Sequence, residues 1–268
     1  MRIMGTYSRL YNTVEWLGKR TIAVETQFAK VIRYMFSVVA NIFKPPFRLA
    51  ELFQQLEFIG VQSINIILLT GFFTGAVFGL QIGGIFEIFR SESLMGAATS
   101  EALARELAPL MTGFLLAGRA GSSMTAELSS MKVNEQVDAM EAMAVDPVHY
   151  LVVPRVLACV LMIPLLCGVF MLVGAFGSFV LGVLLFDVDQ GVFLEQILKM
   201  VQPRDIIDGL FKAFVFSIVI GLVSCRYGLV AGGGAKGVGV ATTESVIISL
   251  LLILCFDVVI TFLQVVVL

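Results

Sequence analysis

Residues able to do chemistry fall in two parts of this chain. Arg105, Glu106, Arg119 and Asp257 are ionisable side chains in or beside long apolar runs. At membrane depth an unpaired charge costs at least ~2.5–3.5 kcal/mol, so each is expected to pair, to line water or to meet a polar headgroup. Arg105 and Glu106 stand just before the apolar segment 107–126 and are candidates for a headgroup or gating role. Arg119, near the other end of that segment, is expected to pack against carbonyls, and Asp257 to tie helices together. The second place is the stretch NEQVDAMEAMAVDP at residues 134–147. Asn134 is a good N-cap residue and Glu135 puts an acid in the positive first turn. Pro147 disfavours helical geometry at Asp146, so the spacing predicts a helix over 134–145, roughly 18 Å long. Val133, Val137, Met140 and Ala144 share one stripe of it, while Glu135, Asp138 and Glu141 lie on another.

Several kinds of chemistry are excluded by pattern. No GxxxxGK[ST] occurs: Gly18-Lys19-Arg20 lacks the hydroxyl residue, and GGGAKGVGV at 232–240 lacks the spacing. The chain therefore cannot hydrolyse ATP alone, and active transport would need a partner. A short capped acidic helix has the shape to seat in a groove of a nucleotide-binding subunit and carry its closure as a lever. By periodicity alone, a solvated loop helix is an equal reading. Neither GxSxG nor HExxH occurs, and the one histidine, His149, has no metal-ligand spacing. The four cysteines lie in apolar runs without CxxC spacing, so neither a zinc site nor a disulfide framework is indicated.

The elements that must position these residues are membrane helices. Of 268 residues 58% are hydrophobic and only 14% charged, against about 25% charged in a soluble chain. Eight of the 18 basic residues fall in the first 50 positions, against Glu15 and Glu25 alone. From Tyr7 to Val39 apolar residues follow three-and-four spacing among cations, the pattern of an interfacial amphipathic helix, broken near Thr21 and ended by Lys44-Pro45-Pro46. Five apolar segments follow, at 58–86, 107–126, 156–186, 210–225 and 245–268. In the first, Gly71, Gly75, Gly79 and Gly83 recur every four residues, a smooth stripe for helix packing. Pro164 is expected to kink the third without ending it. An amphipathic piece at 192–201 and a glycine-rich loop at 226–244 complete the plan. The basic N-terminal region belongs in the cytoplasm, the 132–146 helix returns there, and the C-terminus ends outside.

The runs ELAPL, AGRAGSSMTAEL and EQVDAMEAMAVDP closely resemble the permease subunits of MCE-associated ABC transporters, the MlaE (YrbE) family of lipid-trafficking systems. KPPFR at 44–48, GLQ at 79–81, ATTESV at 241–246 and FDVVIT at 256–261 fit the same pattern in order. The resemblance covers the chain from about Lys44 onward. Arg105 and Glu106 match its RELGP-type motif, with Ala108 in place of the usual glycine. It implies an all-α polytopic permease domain spanning the whole chain and acting as a homodimer in a bacterial inner membrane; related permeases also serve plastid envelopes. A MlaF-like ATPase would carry the ATP and magnesium, this chain holding no cofactor, metal or nucleic acid. Its coupling contacts would be Glu135, Gln136, Asp138, Met140, Glu141, Asp146 and Pro147. An MCE-domain, MlaD-like ring protein would sit on the opposite face, and a phospholipid cavity would be lined by Phe78, Ile85 and Phe89 with Arg105 and Glu106 near the headgroup. The rival readings are an ion-coupled transporter or channel using Arg119 and Asp257, and a non-transporting membrane scaffold.

Overall fold

The computed structural model describes residues 29, 31–46 and 48–267. The described residues form helices and no strand. They divide into two compact units, one ending at Phe47 and the other starting at Arg48. In the first, α1 (Val31–Ile42) carries exposed apolar side chains at Val31, Met35, Phe36 and Val39 and stops before Lys44-Pro45-Pro46. The part of the expected interfacial helix from Tyr7 to Phe28 lies outside the described residues.

The second unit opens with α2 (Leu49–Ile59), a single 3-10 turn at Val61–Ser63, and α3 (Ile64–Ile88). A continuous helical run over 95–133 follows, made of α4 (Met95–Ala102), α5 (Ala108–Leu116) and α6 (Ser122–Val133), joined by π turns at Leu103–Leu107 and Ala117–Gly121. Pro109 explains the first of these. It has no N–H for the carbonyl one turn back, that of Arg105, and the helix widens there. Pro154 plays the same part after the π turn Val148–Val152, which leads into α8 (Val153–Leu185). Pro164 sits inside α8 without ending it. Then come α9 (Gln190–Met200), α10 (Pro203–Val230) and α11 (Gly234–Val267).

Packing fixes the direction of each helix. Gly71, Gly75 and Gly79 of α3 face Phe170, Gly174 and Ser178 of α8 in the same order, so these two helices run parallel. A Cβ at Gly75 would lie 1.9 Å from the Gly174 carbonyl oxygen; only glycine allows the approach. Met95 and Leu103 meet Gly182 and Gly174, so the 95–133 run is antiparallel to α8. It is parallel to α10, because Gly209, Gly121 and Gly228 meet Ala104, Ser224 and Leu128 respectively. Finally α11 opposes α10, with Thr261 beside Lys212 and Gln264 beside Asp208. The core they enclose includes Ile67, Leu103, Leu116, Ile163, Phe170, Phe216, Ile220 and Ile253, all fully buried.

Four helices among the described residues are long and apolar enough to cross a membrane: Leu49–Ile88, Val148–Leu185, Pro203–Val230 and Gly234–Val266. The remaining expected span, at 107–126, lies in the 95–133 run, which is opposite in direction to α3 and α8, the long helices before and after it in sequence, but carries Arg105, Glu106, Arg119 and Glu127. Two expectations are corrected. The fourth apolar segment is longer than 210–225, since its helix begins at Pro203 with a capping box between Gln202 and Asp205. The glycine-rich loop shrinks to 231–233: Gly233 and Gly234 take positive φ, and from Gly234 onward the chain is helical. Glycine lowers helix propensity by about 1 kcal/mol per residue, an amount that tertiary packing overrides here.

Candidate functional site

The short acidic helix, α7 (Gln136–Ala142), is smaller than predicted, and its caps differ. Asn134 does not cap it; its side-chain amide turns back to Ser130 Oγ at 3.5 Å, and Glu135 takes a left-handed conformation at φ +59°. At the other end Ala144, at φ +61°, closes a Schellman-type turn in which Val145 N–H donates to the Met140 carbonyl at 2.9 Å. Two left-handed residues therefore cut α7 out of the chain. Asp146 instead caps the following helix, accepting from Val148 N–H at 2.9 Å, and Pro147 is buried there. Val137 anchors α7 and Met140 is half-buried, while Glu135, Gln136, Asp138, Glu141 and Asp146 are exposed, with Met143 exposed beside them. Asp138 is held by an ion pair with Lys132.

A charged cluster lies at the opposite end of the same helical run. Lys212 of α10, fully buried, donates to Glu106 Oε2 at 2.6 Å and Thr261 Oγ1 at 2.7 Å, and stands 3.2 Å from Asp257 Oδ1. Thr261 in turn donates to Glu106 Oε1 at 3.3 Å. All three ammonium protons thus have an oxygen near them, and helices α10 and α11 are fastened to the π turn at 103–107. Next to this, Arg105 Nε donates to Asp205 Oδ1 at 2.8 Å and its Nη1 lies 3.3 Å from Glu101. Asp205 is also the third-residue half of the α10 capping box, accepting from Gln202 N–H at 2.9 Å. Beside the cluster is a cavity of about 340 Å³ lined by Arg105, Glu106, Gln202, Arg204, Asp208, Thr261, Gln264 and Val265. From Glu106 to Val133 the helical path is roughly 40 Å.

Of the sequence candidates, Arg105, Glu106 and Asp257 are brought together. Phe78, Ile85 and Phe89 are not: they lie along α3, Ile85 and Phe89 exposed, and none lines the cavity. Gly71, Gly75, Gly79 and Gly83 are all buried against α8. Arg119 reaches the joint between α2 and α3, donating to the Phe58 carbonyl at 2.5 Å, Ser63 Oγ at 2.9 Å and Gln62 Oε1 at 3.0 Å. Sequence reasoning does not single out Lys212, Asp205, Thr261 or Arg204 as residues of the site. Lys212 falls within the apolar segment 210–225, where a lysine is itself the signal. Asp205 gave no local cue beyond its place three residues after Gln202. A buried Arg155 likewise pairs with Glu127 at 2.8 Å, linking α8 to α6.

Residues 52–263 match the family described as Permease MlaE. The chain belongs to the MlaE permease family. It is 39% identical over 252 residues to a probable ABC transporter permease protein of Rickettsia felis, covering 94% of this chain and 97% of that one. A Synechocystis protein of the same description is 41% identical over 200 residues, 75% of this chain and 76% of its own. The Arabidopsis thaliana chloroplastic protein named trigalactosyldiacylglycerol 1 is 35% identical over 220 residues, 82% of this chain and 63% of that protein. The MlaE-family chain is thus a multi-pass, all-α membrane permease of the ABC transporter type, an identity that implies a separate ATPase subunit.

Proposed function

We propose that this permease moves phospholipid between membranes, together with an MCE-domain partner and driven by ATP hydrolysis on separate MlaF-like subunits that hold the ATP and magnesium. One observation carries the reading: a largely exposed acidic helix follows one end of the helical run 95–133, and a buried charged cluster lies toward the other. Closure of the ATPase pushes on α7 through Glu135, Asp138, Glu141 and Asp146. The run transmits that push as a rod, and its π turns are where it yields. At the far end Arg105 and Glu106 ride on such a turn, so a small shift changes their register with Asp205, Lys212 and Asp257 and reshapes the cavity. Arg105 and Arg204 then serve the phosphate of a headgroup.

A symmetric homodimer suits a pair of ATPases, with the face that carries half-buried Phe78 and exposed Ile85 and Phe89 turned inward to hold acyl chains. The Arabidopsis relative is named after a galactolipid, which agrees with a lipid cargo. The membrane is the bacterial inner membrane, with the N-terminus cytoplasmic, α7 on the cytoplasmic side and the C-terminus periplasmic. The rival ion-coupled reading draws on the buried Lys212–Asp257 pair. Mass spectrometry of proteins and lipids, on the chain purified in mild detergent from its native membrane, separates the two. Recovery of an ATPase, an MCE-domain protein and stoichiometric phospholipid is the expected result; the chain alone, without lipid or ATPase, would overturn it.

A further inference from the structure

The amphipathic helix α9 has no part in the transport reading, yet its surface is divided into three sectors. Phe193 and Ile197 face the protein: Phe193 is fully buried against Gly96, Gly182 and Phe179. One residue on, a rotation of about 100°, Leu194 and Leu198 are 52% and 84% exposed. One residue further, Glu195 and Lys199 are exposed and polar. The helix therefore presents a protein flank, an uncovered apolar flank and a polar flank in succession. Its position is equally constrained. Four residues, 186–189, join it to the end of α8, and two, 201–202, join it to the start of α10. Those are membrane-spanning helices whose ends lie at one face of the bundle. Their outer surfaces at that level are apolar and open, with Leu184, Leu185, Ile206 and Ile207 all exposed. The apolar flank of α9 continues the lipid-facing surface of the two spans it connects.

We infer that α9 is a second interfacial helix, seating Leu194 and Leu198 in the boundary between acyl chains and headgroups of the leaflet at which α8 ends and α10 begins. Glu195 and Lys199 stay in water, and Phe193 locks the helix to the bundle, so it anchors that end of the protein at a fixed depth. The occupant of the flank is lipid, not protein. This rests on the membrane placement of α8 and α10 and is independent of what is transported.

The test uses the full chain in phosphatidylcholine nanodiscs, with its one tryptophan removed by Trp16→Phe and a reporter introduced by Leu198→Trp, Leu194→Trp or, as the polar control, Glu195→Trp. Lipid brominated near the carbonyl end of its acyl chains quenches the reporters at 198 and 194 by roughly half, with blue-shifted emission, and leaves that at 195 to aqueous iodide. Iodide quenching without bromolipid quenching at 198 and 194 would place the flank in water. Protection from both quenchers would place it against protein, a second copy or another chain. Either result overturns the inference.

Discussion

Lys212 Nζ and Glu106 Oε2 are 2.6 Å apart, joining the first third of the 95–133 run to the first half of α10 across 106 residues of sequence. The lysine is wholly buried, whereas the carboxylate is partly open toward the cavity. This asymmetry determines what each substitution does. Lys212→Met leaves Glu106 and Asp257 without their cation. We expect a loss on the order of 3–5 kcal/mol, read as a lowered thermal midpoint in detergent, together with loss of the proposed lipid transport when the permease is reconstituted with its ATPase. Glu106→Gln keeps an oxygen for Lys212 and should fold, while transport falls.

Glu127 and Arg155 form a second asymmetric pair, with Arg155 buried and Glu127 half-exposed. Removing the arginine lets the glutamate turn to solvent. Removing the glutamate strands a buried guanidinium that keeps only the Leu151 carbonyl, 2.8 Å away. Glu127→Ala should therefore destabilise the chain more than Arg155→Met does, by about 1–3 kcal/mol. Paired thermal melts check the order; an equal or reversed order would contradict it.

The α3–α8 contact predicts a contrast between neighbouring glycines. At Gly75 an added methyl meets the Gly174 carbonyl, whereas at Gly84 nothing lies within 4 Å. Gly75→Ala should cost about 1–3 kcal/mol and reduce the yield of folded protein. Gly84→Ala should be neutral or slightly stabilising, because alanine favours the helix. Size-exclusion profiles and melts in one detergent compare them.

Much of this fold was legible because long apolar runs and prolines act locally. The four-residue glycine stripe foretold a close helix contact, and Lys44-Pro45-Pro46 foretold the end of α1. The limits of α7 were not legible, since they depend on left-handed backbone at Glu135 and Ala144, residues with no intrinsic preference for it. Nor was the charged cluster. Arg105, Glu106 and Asp257 stood out by type, but the partners that satisfy them, Lys212, Asp205 and Thr261, come from helices about 50 to 155 residues away and are set by packing. The long reach of Arg119 to the α2–α3 joint was hidden for the same reason.

In the proposed mechanism α7 is the surface through which an ATPase drives this permease. The direct measurement is co-purification of the ATPase with the variant Glu135→Lys/Asp138→Lys, compared with the unaltered chain, from membranes containing equal amounts of each. Both side chains are exposed and contribute little to folding, so the variant inserts normally. We predict that the ATPase is lost or reduced at least about tenfold, the scale of one or two desolvated charge contacts. Undiminished recovery of the ATPase with the variant would contradict the account.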